Sequence, residues 1–418
     1  MRQSAHEAET LPVPFLAKQH TLFALRHAKF LPTPYQAEDS NRMTLAYFCL
    51  ASLALLPSVP ISGADPSLSA LEVMLKPRER EGYIEWVYQQ QLPSGGFRGS
   101  DSLGGGSSSS ASTSTADTAP APSTSQTPPS LPPFSFLDFP HVIQSYTALL
   151  ILAILNDDFS RLNRKGLLDF VGSCQNEDGS FSHHPGCLEP PDPRSSYSAF
   201  AILSMLDDWS TVDVDRALGF LNSCRRYEGG FAQRPDAEAN AGPTYCAIAA
   251  YSLASRLSSI PEPERLLRWL VQRQVRPPPA PEPSEPDSED EGEVEAVPEL
   301  EMAGFQGRAN KPTDACYSFW STAALSLLLP ALSPSLRLPD VLDPSLDRNW
   351  LLSCQHKLYG GIAREPGAPP DVYHTYLSLA ALSLGGLDKR VADLRPLNAA
   401  WNVPENVAQR IKARLRTK

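Results

Sequence analysis

Residues 307 to 320 read GRANKPTDACYSFW, and four of them have side chains that could act together. Asp314 and Cys316, two residues apart, offer a hard carboxylate and a soft thiolate, both metal-ligand types, while Arg308 and Lys311 just ahead of them are anion binders. Further along, the stretch PPDVYHTY supplies His374. Asp, Cys and His give three protein ligands and leave one position of a tetrahedral ion open, the arrangement of a catalytic rather than a structural zinc. Each residue also has a plainer reading. An Asp-x-Cys is commonly a helix cap beside a buried thiol, a lone His a hydrogen-bonded core residue, and a lone Arg or Lys a solvated surface charge. The site reading gains weight because the acid and thiol on one side, and the histidine on the other, fall at equivalent places in adjacent copies of a repeat.

That repeat shows first in its turns: QQQLPSGGF at 89 to 97, CQNEDGSF at 174 to 181, CRRYEGGF at 224 to 231, GFQG at 304 to 307 and CQHKLYGGI at 354 to 362. The spacing between Phe181 and Phe231 sets a period of about 50 residues, and Gln274 takes the next expected slot. After each turn comes an apolar stretch rich in Ala, Leu and Ser: SYTALLILAIL from 145, SYSAFAILSML from 196, TYCAIAAYSLA from 244, CYSFWSTAALSLLL from 316 and HTYLSLAALSL from 374. These favour helix formers, lack internal Pro and Gly, and are apolar on nearly every face, which predicts buried helices. Amphipathic stretches precede the turns, such as RKGLLDFVGSC from 164, VDRALGFLNSC from 214 and LLRWLVQRQ from 266. The unit is therefore a helix pair, one inner and one outer, in an all-α chain. Such pairs cannot bury their faces alone and must stack, into an open solenoid or a closed ring. If the inner helices line one cavity, the polar residues at their starts, Arg194, Asn240, the group from Arg308 to Cys316, Asp371, Tyr373 and His374, converge on its rim.

Composition narrows the function class. The chain has 418 residues, 42% of them apolar, enough for a large core. Its seven cysteines are odd in number, scattered and without a C-x-x-C pair, a poor disulfide or structural-zinc framework and a better fit to reduced thiols in the cytoplasm. No stretch of signal-peptide type opens the sequence and none reads as a membrane span. The net charge of −11 is concentrated in PEPSEPDSEDEGEVEAVPELE at 281 to 301, and the remainder is nearly neutral, which argues against a nucleic-acid face. Residues 101 to 133, low-complexity Ser/Thr/Pro/Gly, and 275 to 302, acidic and Pro-rich, read as disordered surface insertions in a single domain spanning 1 to 418.

The GGF repeat, GFQGRANKPTDACYSFW and PPDVYHTY resemble the β subunits of protein prenyltransferases across essentially the whole chain outside the insertions. Within that family, NRMTLAYFCLASLALL from 41, HVIQSYTALLILAILNDDFSRLN from 141 and NKPTDACYSFW look like the type I geranylgeranyltransferase β subunit. The resemblance implies an α-α barrel (toroid), one zinc ion held by Asp314, Cys316 and His374, and an obligate heterodimer with an α subunit. It implies transfer of a geranylgeranyl group from its diphosphate to the cysteine of C-terminal CaaX motifs, those of small GTPases and other CaaL proteins. Arg308, Lys311 and Tyr317 resemble the diphosphate cradle. Asn240 stands where the family has a diphosphate-binding His, and it can donate a hydrogen bond without carrying charge.

Ten residues before the zinc His, farnesyltransferases carry a magnesium-binding Asp and type I geranylgeranyltransferases a Lys. Here the residue is Arg364, which implies chemistry that does not require magnesium. Where farnesyltransferases close the lipid pocket with Trp and Tyr, this chain has Thr44 and Leu377, leaving room for one more five-carbon unit. Tyr373 is the farnesyltransferase type of residue beside the zinc His. Arg194, Tyr197 and Trp320 match lipid-pocket positions. The alternatives are a farnesyltransferase or Rab-type geranylgeranyltransferase β subunit, a terpene cyclase, which would need an Asp-x-Asp-Asp acid motif that the sequence lacks, and a non-catalytic helical-repeat scaffold.

Overall fold

The apolar stretches do form helices, and each is paired with an amphipathic neighbour. The computed structural model describes residues 13–58, 65, 67–100, 139–276, 301–385 and 394–416. The insertion at 101 to 133 lies outside the described residues, as does most of the one at 275 to 302. Outer helix α1 (Ala17–Lys29) precedes inner α2 (Arg42–Leu55), and a single turn, α3 (Ala70–Met74), follows. The remaining outer and inner pairs are α4 (Pro77–Gln89) with α5 (Val142–Ile154), α6 (Arg164–Ser173) with α7 (Pro193–Leu206), and α8 (Val214–Ser223) with α9 (Ala241–Leu253). They continue as α10 (Pro263–Val271) with α11 (Ala315–Leu332) and α12 (Pro344–Ser353) with α13 (Val372–Gly385), before a last helix α14 (Glu405–Leu415).

Burial explains the two compositions. In α5 every residue except Ile143 is buried, whereas α10 buries only Leu266, Trp269 and Leu270, one stripe at helical spacing. An inner helix has neighbours on both flanks and an outer helix behind it: α2 packs on α5, α5 on α7, α7 on α9, α9 on α11, α11 on α13, and α13 back on α2. The stack thus closes into a ring, which decides between solenoid and toroid. Among the described residues α11 alone is long and apolar enough to cross a membrane. Its place between α9 and α13 accounts for that composition.

The recurrent turns have one shape. A residue two or three positions past the outer helix pairs with the turn's apolar residue in five copies: Gln91 with Phe97, Gln175 with Phe181, Arg225 with Phe231, Gln274 with Phe305 and Gln355 with Ile362. In the fourth of these, the paired strands β1 (Gln274–Val275) and β2 (Gly304–Phe305) hold together the two ends of the acidic insertion, which replaces a tight turn without changing the frame. A hydroxyl at the start of the inner helix then clamps the turn. Ser145 Oγ accepts from Phe97 N at 2.8 Å, Thr244 Oγ1 from Phe231 N at 2.9 Å and Thr375 Oγ1 from Ile362 N at 2.9 Å. The clamp accounts for the Ser or Thr before the aromatic residue in α5, α9 and α13; in α11 the equivalent Ser318 donates to Asp347 Oδ1 at 2.6 Å instead.

One residue on, the phenols of Tyr146, Tyr197, Tyr245 and Tyr376, joined by Tyr47 from α2, form a buried layer inside the ring. Tyr146 and Tyr197 hydroxyls lie 2.9 Å apart and Tyr245 and Tyr197 3.1 Å apart. Phe319 holds the equivalent place on α11, its ring 5.1 Å from Tyr245. The C-terminal segment, with the short hairpin β3 (Leu397–Asn398) and β4 (Val403–Pro404), lies under this layer. Its carbonyls receive the phenols: Tyr245 donates to Ala399 O at 2.9 Å, Tyr146 to Trp401 O at 2.8 Å and Tyr376 to Asn402 O at 2.6 Å. That satisfies buried polar groups and seals one end of the ring.

The turns limit substitution sharply. Gly179 has φ of +90°, and a Cβ there would sit 2.2 Å from Arg216 O, whereas Gly186, also at positive φ, has nothing within 4 Å. Gly179→Ala is expected to lower stability by about 2–4 kcal/mol through strain plus a backbone clash, and Gly186→Ala by about 1 kcal/mol. Denaturant melts of the two variants check this, and equal losses would contradict the clash.

Candidate metal centre

Asp314 is the N-cap of α11. Its Oδ1 accepts the Cys316 N–H at 2.9 Å, which fixes the carboxylate beside the thiol in the first turn of the helix. His374 stands in the first turn of the neighbouring α13, its Nε2 3.2 Å from Asp314 Oδ1. Ligand atoms of Asp314, Cys316 and His374 all lie within 4.8 Å of one another. Helix-pair stacking therefore brings together residues far apart in sequence.

The other ring nitrogen of His374 is held. Asp371 Oδ1 accepts the His374 backbone N–H at 2.8 Å, and its Oδ2 lies 2.6 Å from Nδ1. A carboxylate at Nδ1 fixes the tautomer that presents Nε2 to an ion, as outer partners of metal-bound histidines do. Asp371 was visible in the sequence only as a polar residue at a helix start; its three-residue lead on His374 was the available signal.

The electrostatics fit a divalent ion. Burial raises the Cys316 thiol to about 11, with Asp314 adding to the effect and His374 opposing it. Burial alone would lower His374, but hydrogen bonds to Asp314, Asp371 and Cys316 outweigh it and raise the imidazole to about 11. Burial works against the Asp314 charge too, yet His374 and the Cys316 contacts hold its carboxyl below the usual range. The unliganded cluster is thus a carboxylate, an imidazolium and a thiol. A thiophilic divalent ion binding there replaces two protons with its own charge.

Beside this cluster a cavity of about 830 Å³ occupies the middle of the ring, within the range of roughly 300–1,000 Å³ usual for organic ligands. Thr44, Arg194, Tyr197, Trp320, Tyr373 and Leu377 all line it. Thr44 Oγ1 donates to Gln144 at 2.9 Å, and the Arg194 guanidinium is tied to the Asp192 carboxylate. Tyr373 joins cavity to cluster: its hydroxyl accepts from Trp320 Nε1 at 3.3 Å and its ring meets that of His374 edge-on, centroids 4.9 Å apart.

Arg308, Lys311 and Arg364 stand apart from the cavity wall. Arg308 reaches Glu238 at 3.4 Å, Arg364 reaches Glu365 at 2.5 Å, and Lys311 is exposed on the turn before α11. Asn240 is the N-cap of α9, its Oδ1 accepting Gly242 N–H at 3.0 Å, and its side chain lies beside Tyr317. Tyr317 rests against Gly307, where a Cβ would meet its ring at 2.0 Å. These five lie on the turns around the starts of α9, α11 and α13.

Comparison with known proteins adds the family. Residues 15–403 match the model of the prenyltransferase alpha-alpha toroid domain. Among curated relatives, the geranylgeranyl transferase type-1 subunit beta of Dictyostelium discoideum is 35% identical over 378 residues, covering 87% of this chain and 89% of the relative. Its namesake from Arabidopsis thaliana is 31% identical, covering 88% and 85%. Among solved structures, Candida albicans protein geranylgeranyltransferase-I complexed with GGPP superposes with a TM-score of 0.71 at 24% identity, covering 96% of this chain and all of that one.

Two outcomes are expected at the cluster. Asp371→Asn weakens zinc affinity about 10- to 100-fold, measured by competition with a chelator; unchanged affinity would remove Asp371 from the orienting role. Calorimetric titration of zinc in buffers of different ionisation enthalpy reads close to two protons released per ion at pH 7, so affinity climbs as pH rises.

Proposed function

The chain belongs to the prenyltransferase α-α toroid family, and on that premise we propose that it is the β subunit of a protein geranylgeranyltransferase of type I. In this reading it works with a helical α subunit in the cytoplasm. It moves a geranylgeranyl group from geranylgeranyl diphosphate to the cysteine of C-terminal CaaX motifs, those ending in Leu above all. The observation that carries the reading is the Asp314, Cys316 and His374 cluster at the edge of a largely apolar cavity of the right class of size.

Asp314, Cys316 and His374 would hold one zinc ion, whose chemistry there is to keep an acceptor thiol as thiolate at neutral pH. The chain's own residues supply the rest. Asp371 holds the His374 ring, and Tyr373 links the cluster to the lipid wall. Arg308, Lys311 and Arg364, with Tyr317 and Asn240, offer cations and neutral donors for the departing diphosphate. The bond formed is a thioether, the bond broken is from the allylic carbon to diphosphate oxygen, and the thiol proton passes to solvent. Asn240 contributes dipole without charge, so the burden of neutralisation falls on the three cations.

Thr44 and Leu377 on the wall favour the longer lipid, since one more five-carbon unit buries roughly four to five methylene equivalents at about 0.8 kcal/mol each. Tyr373 favours the farnesyl alternative and points to a broader peptide preference. Arg364 as a fixed cation takes the place of magnesium.

The deciding experiment expresses the full chain with the α subunit and lets the two isoprenoid diphosphates compete on peptides ending Cys-a-a-Leu or Cys-a-a-Met. Geranylgeranyl transfer to the Leu peptide is expected to dominate, with no magnesium stimulation. Faster farnesyl transfer, or strong stimulation by magnesium, overturns the type I reading. Cys316→Ala is expected to abolish transfer and to lower the bound zinc by one ion per chain, and a zinc count unchanged from wild type in that variant would remove the cluster from the role given to it.

A further inference from the structure

The loop joining α6 to α7 reads FSHHPGCLEPP at 181 to 191, and the proposed chemistry uses none of its titratable side chains. Ligand atoms of His183, Cys187 and Glu189 lie within 4.8 Å of one another, with His183 Nδ1 3.2 Å from Glu189 Oε2. Imidazole, thiol and carboxylate are the three ligand classes of the Asp314 cluster over again. Of the seven cysteines, six are buried and Cys187 is the half-exposed one.

Local sequence builds this arrangement. Pro185 and Gly186 occupy the middle of a turn closed by Cys187 N–H donating to His184 O at 3.2 Å, with Gly186 at φ of +75°. Pro then Gly at positive φ is the signature of a type II turn, and the turn returns Cys187 to His183. The backbone of His183 is pinned to the start of α5, its carbonyl accepting Val142 N–H at 2.9 Å. Its ring is set by stacking on His141, centroids 4.5 Å apart at 25°. His184 stacks on Phe139 at 4.6 Å and 8°. An ordinary ion pair would account for His183 and Glu189 but not for a thiol placed in reach of both. Bond lengths of about 2.0–2.3 Å to zinc need ligand atoms roughly 3–4 Å apart, a short closure for the exposed Glu189.

We propose that His183, Cys187 and Glu189 form a second divalent-metal site, for an ion of the zinc class, on the wall of the central cavity. The three residues line that cavity together with Arg194. They leave a fourth ligand position for water or an anion. The site shares no residue with the Asp314 cluster, so each can be emptied separately.

The test is metal content of the full-length chain, purified in the assembly in which it is expressed, equilibrated with micromolar zinc and then dialysed against metal-free buffer. Two ions per chain are expected. Cys187→Ser and His183→Ala each bring the count to one, His184→Ala leaves it at two, Cys316→Ala leaves one, and the Cys187→Ser/Cys316→Ala double variant holds none. Cobalt(II) loaded into Cys316→Ala gives thiolate-to-cobalt absorption that Cys187→Ser removes, while circular dichroism confirms that the variants are folded. Cys187→Ser retaining the full wild-type count, or a single ion that vanishes with Cys316→Ala alone, overturns the second site. A single ion that vanishes only with Cys187→Ser upholds it and instead removes zinc from the proposed catalytic cluster, so the two failures are distinguishable.

Discussion

Closure of the inner ring is the constraint on which the remaining structure depends. A helix such as α5, buried at nearly every position, has no face it can give to water, so its exposure can only be ended by neighbours on both flanks and a layer behind. An open stack would leave two such helices with a bare flank each. Packing α13 on α2 removes both, at the cost of enclosing a space too wide to be filled by side chains alone. The cavity is therefore a consequence of the helix composition as much as a feature added for function.

That enclosed space has two unlike ends. At one, phenols from five inner helices donate to one another and to the carbonyls of Ala399, Trp401 and Asn402. A buried hydroxyl without a partner costs on the order of 1–3 kcal/mol, so the tyrosines and the C-terminal segment need each other. At the other end lie the first turns of the inner helices, their leading N–H groups capped by side chains and loop carbonyls, with the positive end of each helix dipole. An anion leaving from this mouth meets a favourable potential before any cationic side chain is counted.

Much of this was legible in the sequence. The helix pairs followed from periodicity and composition, and Gln274 marked the interrupted copy that β1 and β2 complete. The Asp314, Cys316 and His374 group could be read from ligand type and position in the repeat. Ring closure was implied only by the family resemblance, because it depends on the first and last inner helices meeting, and no local pattern encodes that. Asp371 was missed as an orienting group because a capping residue and a carboxylate holding an imidazole look alike until the ring nitrogen is located. Asn240 looked like a weakened catalytic residue; its Oδ1 proves to be engaged as the α9 cap, which leaves only the amide nitrogen to face Tyr317. The His183, Cys187 and Glu189 loop was passed over because its three ligands lie outside the repeat's own motif.

The N-cap register explains how so uniform a repeat can carry so varied a site. Asp, Asn, Ser and Thr cap helices with similar strength, within about 1 kcal/mol of one another, so this position can change identity at little cost to the fold. It has done so around the ring. His141 accepts Ile143 N–H at α5 and stacks on His183; Asp192 accepts Arg194 N–H at α7 and holds that guanidinium. Asn240 caps α9 and touches Tyr317; Asp314 caps α11 beside Cys316; Asp371 takes the same part before α13 and fixes His374. In each case one atom of the side chain satisfies the helix and what remains is aimed at the mouth. The fold thus guarantees that whatever polar group is placed at this register will be both rigid and directed at the cavity, and the chemistry of the site is set by which group each repeat carries there.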